Sequence, residues 1–354
     1  MDQRLNQLTL WINQQLKSRL RYQGPSQSLT VVSGDASFRR YFRCHFEGVE
    51  GKSSVICVDA PPDKEDNPQF VKIAQRYRDA GVPVPQVLAA DFEQGFMMLT
   101  DLGDTLLKHV LNADNVEPLF AEAQNQLLNI MKADFSGQPL PLYDSALLQR
   151  EMALFPDWYC ERFLEMTLNS EDRQVLDELF GYLEQQALQQ AQVPVHRDYH
   201  TRNLMVLGDG TLGVIDFQDA VMGPVTYDLL SLLRDETFPS WPKTQVKQWV
   251  TGFAQRLRAS NLIQVSDQQI WQDFNAMGAQ RHIKVAGIFA RLHYRDHKQG
   301  YLEQTPESLR YIMEECAALD NPAAQRFVDW LKERIVPKVI ERLPGAEKAL
   351  EAVS

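Results

Sequence analysis

The spacing of apolar residues changes character near residue 103, and this change constrains the fold more than any other feature of the sequence. Strand-like alternation with many β-branched and aromatic side chains comes before it, as in LTVVSGDASFRRYFRCHF and SSVICVDAPP. Helical spacing follows it, as in EPLFAEAQNQLLNIMKADF. The sequence therefore predicts an α+β chain, with a small antiparallel β-rich lobe at residues 1–103 and a larger α-helical lobe at residues 104–354.

Two further elements of the first lobe are predicted from local signals. An amphipathic helix opens the chain, and a second helix begins after the N-cap Asp66, with Pro68 in its first turn and Gly81 after its end. A connector near residues 100–104 joins the lobes. Because ligands tend to bind in the concave surface between lobes, we expect the binding site there.

Composition excludes several classes of protein. The net charge of −11 argues against a general nucleic-acid binder, which is usually basic. The four cysteines are scattered without paired spacing, which indicates reduced thiols in a cytoplasmic protein and neither a zinc site nor a disulfide framework. No run of 18 apolar residues is present in the sequence, so we expect no membrane span.

The segment VHRDYHTRNLM, followed by LGVIDFQ, indicates a site for chemistry. Asp198 lies five residues before Asn203, and Asp216 follows a Gly208-Asp209-Gly210 turn between two apolar runs. A hairpin at that turn would return Asp216 to the side of Asn203, where a carboxylate and an amide oxygen suit Mg²⁺. Asp198 would then accept a proton from a hydroxyl, as phosphoryl transfer requires. The alternative is a polar loop whose acids only form turns.

The same residues carry a resemblance to a known family. HRDYHTRN followed by IDFQ resembles the catalytic loop and metal-binding segment of kinases, and with PVTYDLLSLL it resembles the aminoglycoside phosphotransferase superfamily. GDASFRRYFR, VDAPP, FPDWY and IKVAGIFARLHYRDHK narrow the resemblance to the bacterial anomeric kinases for N-acetylmuramate and N-acetylglucosamine, which act in cell-wall recycling.

The resemblance implies a protein-kinase-like bilobal fold, ATP and Mg²⁺ as cofactors, and an amino sugar as substrate. It assigns Asp198 as the catalytic base, Asn203 and Asp216 as metal ligands, and Asp228 as a structural acid tied to the catalytic loop. His196 is expected to orient the loop from the core. Other acceptors stay open: an aminoglycoside, a choline-like alcohol or homoserine.

The nucleotide side departs from the kinase pattern. The third-strand segment SSVICVDAPP contains no lysine, so either Arg39 or Arg40 supplies the positive charge, with Glu65 as a candidate partner, or the phosphates rely more on the metal. This departure keeps a non-catalytic, nucleotide-binding pseudokinase as an alternative. The cofactor-binding residues that we predict are Gly34, Ser37, Phe38, Arg40, Asp101, Leu102 and Gly103.

A basic stripe in RHIKVAGIFARLHYRDHK marks the acceptor side. At about 100° per residue, a helix would align Arg281, Lys284, Arg291, Arg295 and Lys298. The stripe is either a solvated face or a surface that meets an anionic acceptor, such as the lactyl carboxylate of N-acetylmuramate, and it is the wrong charge for an aminoglycoside. The predicted acceptor-binding residues are His200, Trp158, Arg291 and Arg295.

Overall fold

The computed structural model describes residues 2–33, 38–49 and 51–350. The chain forms two compact units, of which the first comprises Met1–Gly137 and Arg202–Asp219, and the second comprises Gln138–Thr201 and Ala220–Ser354. The division between these units does not fall between residues 103 and 104, because the helix at Val116–Met131 and the hairpin after Asn203 pack within the first unit.

The first unit combines an antiparallel sheet with helices, as predicted. With labels in chain order, its elements are α1 (Gln3–Leu20), β1 (Leu29–Ser33), β2 (Arg40–Val49), β3 (Lys52–Asp59), α2 (Asn67–Asp79), β4 (Val87–Asp91), β5 (Phe96–Thr100), α3 (Leu107–Val110), α4 (Val116–Met131), β7 (Leu204–Val206) and β8 (Leu212–Val214). The five strands of the main sheet lie in the order β1-β2-β3-β5-β4, and β7 and β8 pair as a separate hairpin.

The sheet is closed on one side by α1. Its apolar stripe, Leu8, Ile12 and Leu16, is fully buried in the core formed with the sheet. At the end of β3, the buried carboxylate of Asp59 accepts hydrogen bonds from Arg4 Nε of α1 at 2.9 Å and from Arg40 Nε of β2 at 3.0 Å. Asp59 therefore fastens the helix to the sheet by charge as well as by apolar packing.

The second unit is helical apart from one pair of strands. Its elements are α5 (Ser145–Met152), a π-helical segment (Phe155–Phe163), α6 (Ser170–Gln189), β6 (Gln192–Val195), β9 (Val221–Pro224), α7 (Tyr227–Leu233), α8 (Lys243–Ala259), α9 (Asp267–Tyr294), a 3₁₀ turn (Leu302–Gln304), α10 (Thr305–Ala317), α11 (Pro322–Trp330), a second π-helical segment (Leu331–Ile335), α12 (Val336–Arg342) and α13 (Glu347–Leu350). β6 and β9 pair antiparallel. Within the described ranges, every helix is too short or too polar to span a bilayer.

The long helix α9 is the centre of the second unit, and its middle is buried on most sides. Polar residues of α9 are therefore paired internally. Arg281 bonds Glu236 at 2.5 Å, and the buried Arg234–Glu315 pair at 2.7 Å meets His282, whose Nδ1 lies 2.8 Å from Glu315. The predicted basic stripe is thus not a solvated face at Arg281, which is 4% exposed.

Gly287 of α9 allows a close approach between two backbones. A Cβ at this position would lie 2.4 Å from the carbonyl carbon of Leu154 and 2.5 Å from its oxygen, just before the first π-helical segment. Because the obstacle is backbone, no rotamer change can remove the overlap. We expect Gly287→Ala to lower the free energy of unfolding by about 1–3 kcal/mol in spite of the higher helix propensity of alanine.

The matched control for this prediction is Gly252→Ala in α8. No atom lies within 4 Å of a Cβ built on Gly252, so alanine should stabilise the protein by about 0.5–1 kcal/mol. Urea unfolding of both variants measures the two effects. If both variants gained stability, the close packing of α9 on Leu154 would be wrong.

Candidate active site

The loop that carries Asp198 is anchored by a buried carboxylate of the second unit. Asp228, in the first turn of α7, accepts the backbone N–H of His196 at 2.6 Å and that of Arg197 at 3.0 Å. Arg197 has a positive φ of 78°, a conformation that only strong local restraints maintain in a residue other than glycine. Burial raises the pKa of Asp228 to about 6. The structural role predicted for Asp228 therefore agrees with its contacts.

His196 orients Asp198 directly, as the sequence led us to expect. The His196 ring is fully buried, and its Nδ1 accepts the backbone N–H of Asp198 at 3.2 Å. On the other side of Asp198, its carbonyl oxygen accepts the N–H of His200 at 3.0 Å. The backbone of Asp198 is thus hydrogen-bonded on both sides, so the loop determines the position of its carboxylate.

The charges around the Asp198 carboxyl favour its ionised form. Burial raises its pKa, but the charges of Lys284, and then of His200, His196 and Arg197, outweigh burial and hold the pKa below its ordinary value. Asp198 is therefore ionised at neutral pH and able to accept a proton.

A buried group of charges lies beside this loop in the second unit. Glu151 of α5 is bonded by Arg197 Nη2 at 2.5 Å and by Lys284 Nζ at 3.0 Å, and it also accepts the hydroxyl of Tyr143. Lys284 Nζ donates in addition to the Tyr227 hydroxyl at 3.0 Å. Nothing in the sequence indicated that Glu151 pairs with two cations.

Asn203 and Asp216 come together in the first unit, in the geometry that the hairpin predicted. β7 and β8 pair antiparallel, and the backbone N–H of Ile215 donates to the carbonyl of Asn203 at 3.0 Å. Asn203 Nδ2 then lies 3.4 Å from Asp216 Oδ2, and Asp216 Oδ1 accepts from Gln218 Nε2 at 2.8 Å. Asp216 has a positive φ of 64°.

This pair fits a magnesium ion that is completed by substrate. Among residues 2–33, 38–49 and 51–350, no group of three or more acidic, histidine or cysteine side chains could hold a metal. Mg²⁺ commonly uses only one or two protein carboxylates, together with phosphate oxygens and water. One carboxylate and one amide oxygen side by side therefore suit a nucleotide-bound Mg²⁺ and not a permanent structural metal.

The hairpin is held in place by packing within the first unit. Phe217 stacks on Phe70 of α2 with ring centroids 4.9 Å apart and meets Tyr77 edge-on at 5.8 Å. The N–H of Val214 donates to Pro83 O at 2.7 Å. Because Phe217 directly follows Asp216, this packing fixes the position of the candidate metal ligand.

The two arginines before and at the start of β2 have different surroundings. Arg39 is 2% exposed, pairs with Glu65 at 3.2 Å and lies over the Phe70 ring at 5.1 Å. Arg40 instead pairs with Asp59 and with Asp2 beside α1. Of the predicted phosphate loop, Gly34 and Ser37 lie outside the described residues, and Phe38 is 65% exposed.

Tyr41 connects the arginine with the candidate metal ligands. Its hydroxyl hydrogen-bonds Arg39, and its pKa is raised to about 12, chiefly by burial, with the negative charge of Asp216 adding to the effect. Arg39, Tyr41 and Asp216 are therefore neighbours in the first unit. Nothing in the sequence indicated that Tyr41 is a neighbour of Arg39 and Asp216.

The connector at Asp101, Leu102 and Gly103 is fixed by Arg43. Asp101 accepts from Arg43 Nε at 2.6 Å and from the N–H of Gly103 at 3.0 Å, and the Gly103 carbonyl accepts from Arg43 Nη2 at 3.1 Å. Gly103 has a φ of 90°, which favours glycine. These hydrogen bonds hold the backbone of the connector in place, and its part in cofactor binding stays a prediction.

The predicted acceptor residues all belong to the second unit but differ in availability. His200 is 8% exposed, and Trp158 is half-buried, whereas its neighbours Phe155 and Tyr159 stack on each other in the core. Arg291 is half-buried on α9, while Arg295 lies at the C-cap of α9 and pairs with Asp296 at 2.7 Å.

Fold and site together define a phosphotransferase of protein-kinase-like architecture. The profile of the phosphotransferase enzyme family matches residues 28–262, and the chain belongs to that family. Membership implies ATP as the phosphoryl donor. A choline kinase from Cryptosporidium parvum shares the fold, with a TM-score of 0.62 and 10% identity over 92% of this chain and 99% of that kinase.

Curated relatives are much closer in sequence. The chain is 42% identical over 318 residues to the N-acetylmuramate/N-acetylglucosamine kinase of Pseudomonas putida, a match that covers 88% of this chain and 92% of the relative. It is also 42% identical over 316 residues to the kinase of the same name from Pseudomonas aeruginosa, covering 88% of this chain and 91% of that relative. The predicted family is confirmed.

Proposed function

We propose that this protein is an ATP- and Mg²⁺-dependent kinase that phosphorylates the anomeric hydroxyl of N-acetylmuramate and N-acetylglucosamine. The observation that carries the reaction type is the anchored loop with an ionised Asp198. The sugar class is supported by the names of the two relatives that are 42% identical. A small-molecule substrate also agrees with the net charge of −11, which argues against a general nucleic-acid binder.

In the proposed reaction, the oxygen of the sugar hydroxyl attacks the γ-phosphorus of ATP, and Asp198 takes the proton of that hydroxyl. The bond between that phosphorus and the bridging oxygen breaks, and ADP leaves. Asn203 and Asp216 would hold Mg²⁺, which when bound neutralises the charge of the phosphate oxygens. Asp228 and His196 keep the base in place through the contacts at the loop backbone.

We further propose Arg39 as the cation that takes the place of the kinase lysine, because the lysine of β3, Lys52, is exposed at the first residue of the strand. Arg39 is paired with Glu65 in the manner of a lysine–glutamate pair and lies near Tyr41 and Asp216. Arg40, which the sequence placed among the cofactor-binding residues, forms ion pairs with Asp59 and Asp2. These ion pairs stabilise the fold and do not require a nucleotide.

Arg39→Met and Arg40→Met test this assignment as a matched pair. Loss of a charged hydrogen bond to phosphate should raise the KM for ATP about 10- to 100-fold in Arg39→Met. Arg40→Met should lower the melting temperature through loss of its ion pairs with Asp59 and Asp2, and leave the KM for ATP within about threefold of wild type. Steady-state kinetics and thermal unfolding separate the two. A larger rise of the KM in Arg40→Met would reverse the assignment.

Arg291 is the better of the two predicted arginines for an acceptor carboxylate. Burial, and then the charge of Arg295, lower the pKa of Arg291, so its cationic form lacks full solvation and would gain from an anionic ligand. Arg295 already has Asp296 as its partner. A bidentate bond from Arg291 to the lactyl carboxylate of N-acetylmuramate would satisfy this charge.

The choice between the arginines is measured with two sugars. Arg291→Ala should raise the KM for N-acetylmuramate about 10-fold or more and change the KM for N-acetylglucosamine, which has no carboxylate, by less than about threefold. Arg295→Ala is the control and should change both values little. Equal effects of Arg291→Ala on the two sugars would remove the carboxylate contact.

A further inference from the structure

The buried charges beside Asp198 form a balanced set within the second unit. Lys284 and Arg197 supply two positive charges, and Glu151 supplies one negative charge that bonds both of them. The fourth charge is the Asp198 carboxylate, which directly follows Arg197 in the loop and whose pKa the charge of Lys284 lowers. Glu151 therefore neutralises only one of the two cations, and the excess positive charge is left to Asp198.

Lys284 is fixed in its position and in its charge. It is 8% exposed, and its Nζ is held at 3.0 Å both by Glu151 Oε1 and by the Tyr227 hydroxyl. Although burial lowers its pKa, the charges of Tyr227, Glu151 and Asp198 raise it above the ordinary value, so the ammonium form persists. A rigid, buried cation acts on a neighbouring carboxylate more strongly than a solvated one.

We propose that Lys284 is a positioning residue for phosphoryl transfer, whose ammonium group, held by Glu151 and Tyr227, keeps the Asp198 carboxylate ionised and in place. This proposal rests on the proposed role of Asp198 as the base. The charged and titratable groups that face Asp198 are Lys284 from α9, His196, Arg197 and His200 from its own loop, and Asp228 from α7. Of these, Lys284 and Asp228 come from helices outside the loop, and Lys284 is the cation of the two.

The alternative is that Lys284 only stabilises the buried Glu151. The two roles predict a different pH dependence for the decrease in rate when Lys284 is replaced. A purely structural lysine would lower the rate by the same factor at every pH. A lysine that sets the ionisation of Asp198 would, when removed, raise the pKa of the base, and the loss would grow as the pH falls.

The test is the pH profile of kcat/KM for the sugar at saturating Mg·ATP, expressed as the ratio of each variant to wild type. The ratio cancels the titration of ATP itself. In Lys284→Met the acid limb should move upward by about 1 to 3 pH units, since an opposite charge at close range shifts a carboxyl by that amount. Lys284→Arg keeps the positive charge, so its acid limb should lie close to that of wild type. The exposed Lys332→Met should leave the wild-type profile unchanged.

Glu151→Gln is the second variant, to be used if Lys284→Met does not fold. It should not move the acid limb of the pH profile upward. Removing this anion leaves two cations for Asp198, so the acid limb should stay or move to lower pH. A ratio for Lys284→Met that is flat across pH, or an upward shift in Glu151→Gln, would overturn the proposal. Asp198→Asn is measured in parallel, because full activity of that variant would instead overturn the role of the base itself.

Discussion

Replacing Asp198 by asparagine is expected to lower kcat by about 100- to 10,000-fold, the usual contribution of a positioned general base. Asparagine keeps the size of the side chain and leaves the backbone bonds to His196 and His200 intact, since these use only main-chain atoms of Asp198. It cannot accept the proton of the hydroxyl. The substitution removes an interaction that is made only in the transition state. The affinity for Mg·ATP in the ground state should therefore stay within about threefold of wild type.

Asp177→Asn is the control for this variant. Asp177 is exposed on α6 of the same unit, so its substitution removes the same charge away from the loop. Single-turnover kinetics give the chemical step, and calorimetry gives the affinity for the nucleotide. A rate for Asp198→Asn equal to that of Asp177→Asn would show that another group takes the proton.

Replacing Asp216 by alanine should abolish transfer to a similar extent but for a different reason. The substitution removes the only carboxylate of the Asn203–Asp216 pair, which the hairpin brings together. Without it, the charge on the phosphate oxygens lacks a fixed counter-ion, and catalysis loses several kcal/mol, or about 100- to 10,000-fold in kcat. The variant should also require more Mg²⁺ to reach half of its maximal rate, which Asp198→Asn should not.

Asp209→Asn, in the turn of the same hairpin, is the matched charge-loss control. Asp209 is exposed and bonds only Thr211 next to it. Titration of activity with MgCl₂ at fixed ATP compares the variants. The metal role of Asp216 would be rejected if Asp216→Ala and Asp209→Asn had the same magnesium dependence.

Local signals in the sequence were sufficient for the framework of the site. Asp66 caps α2 as predicted, by accepting the N–H of Gln69 at 2.9 Å, and the turn at Gly208-Asp209-Gly210 closes the hairpin that returns Asp216 to Asn203. Caps and turns are encoded by a few neighbouring residues, and so they can be read directly.

Pairings between distant residues could not be read in this way. Glu151 of α5 lies 46 residues before Arg197, which is in the loop after β6, and no periodicity links the two. Arg281 and Lys284 have the spacing of a basic stripe, yet their buried carboxylate partners come from other elements. The spacing predicted the helix correctly as far as Tyr294, but Lys298 lies beyond its end. The burial of the helix face depended on tertiary contacts that a single sequence does not show.

The choice between Arg39 and Arg40 shows the same limit. The two residues are adjacent and chemically identical, yet Arg39 pairs with Glu65 and Arg40 pairs with Asp59. Gly287 is a further example, because a glycine inside a helix reads as a weak position and not as a contact with the backbone of Leu154.

ADP release from Mg·ATP with a panel of acceptors tests the proposed activity most directly. The panel contains N-acetylmuramate, N-acetylglucosamine, glucose, kanamycin, choline and homoserine, with Asp198→Asn as the blank. We predict turnover with the two acetylated amino sugars alone, and a product whose phosphate is on the anomeric carbon by NMR. Turnover with kanamycin, choline or homoserine, or ATP binding without turnover of any acceptor, would contradict the proposed function.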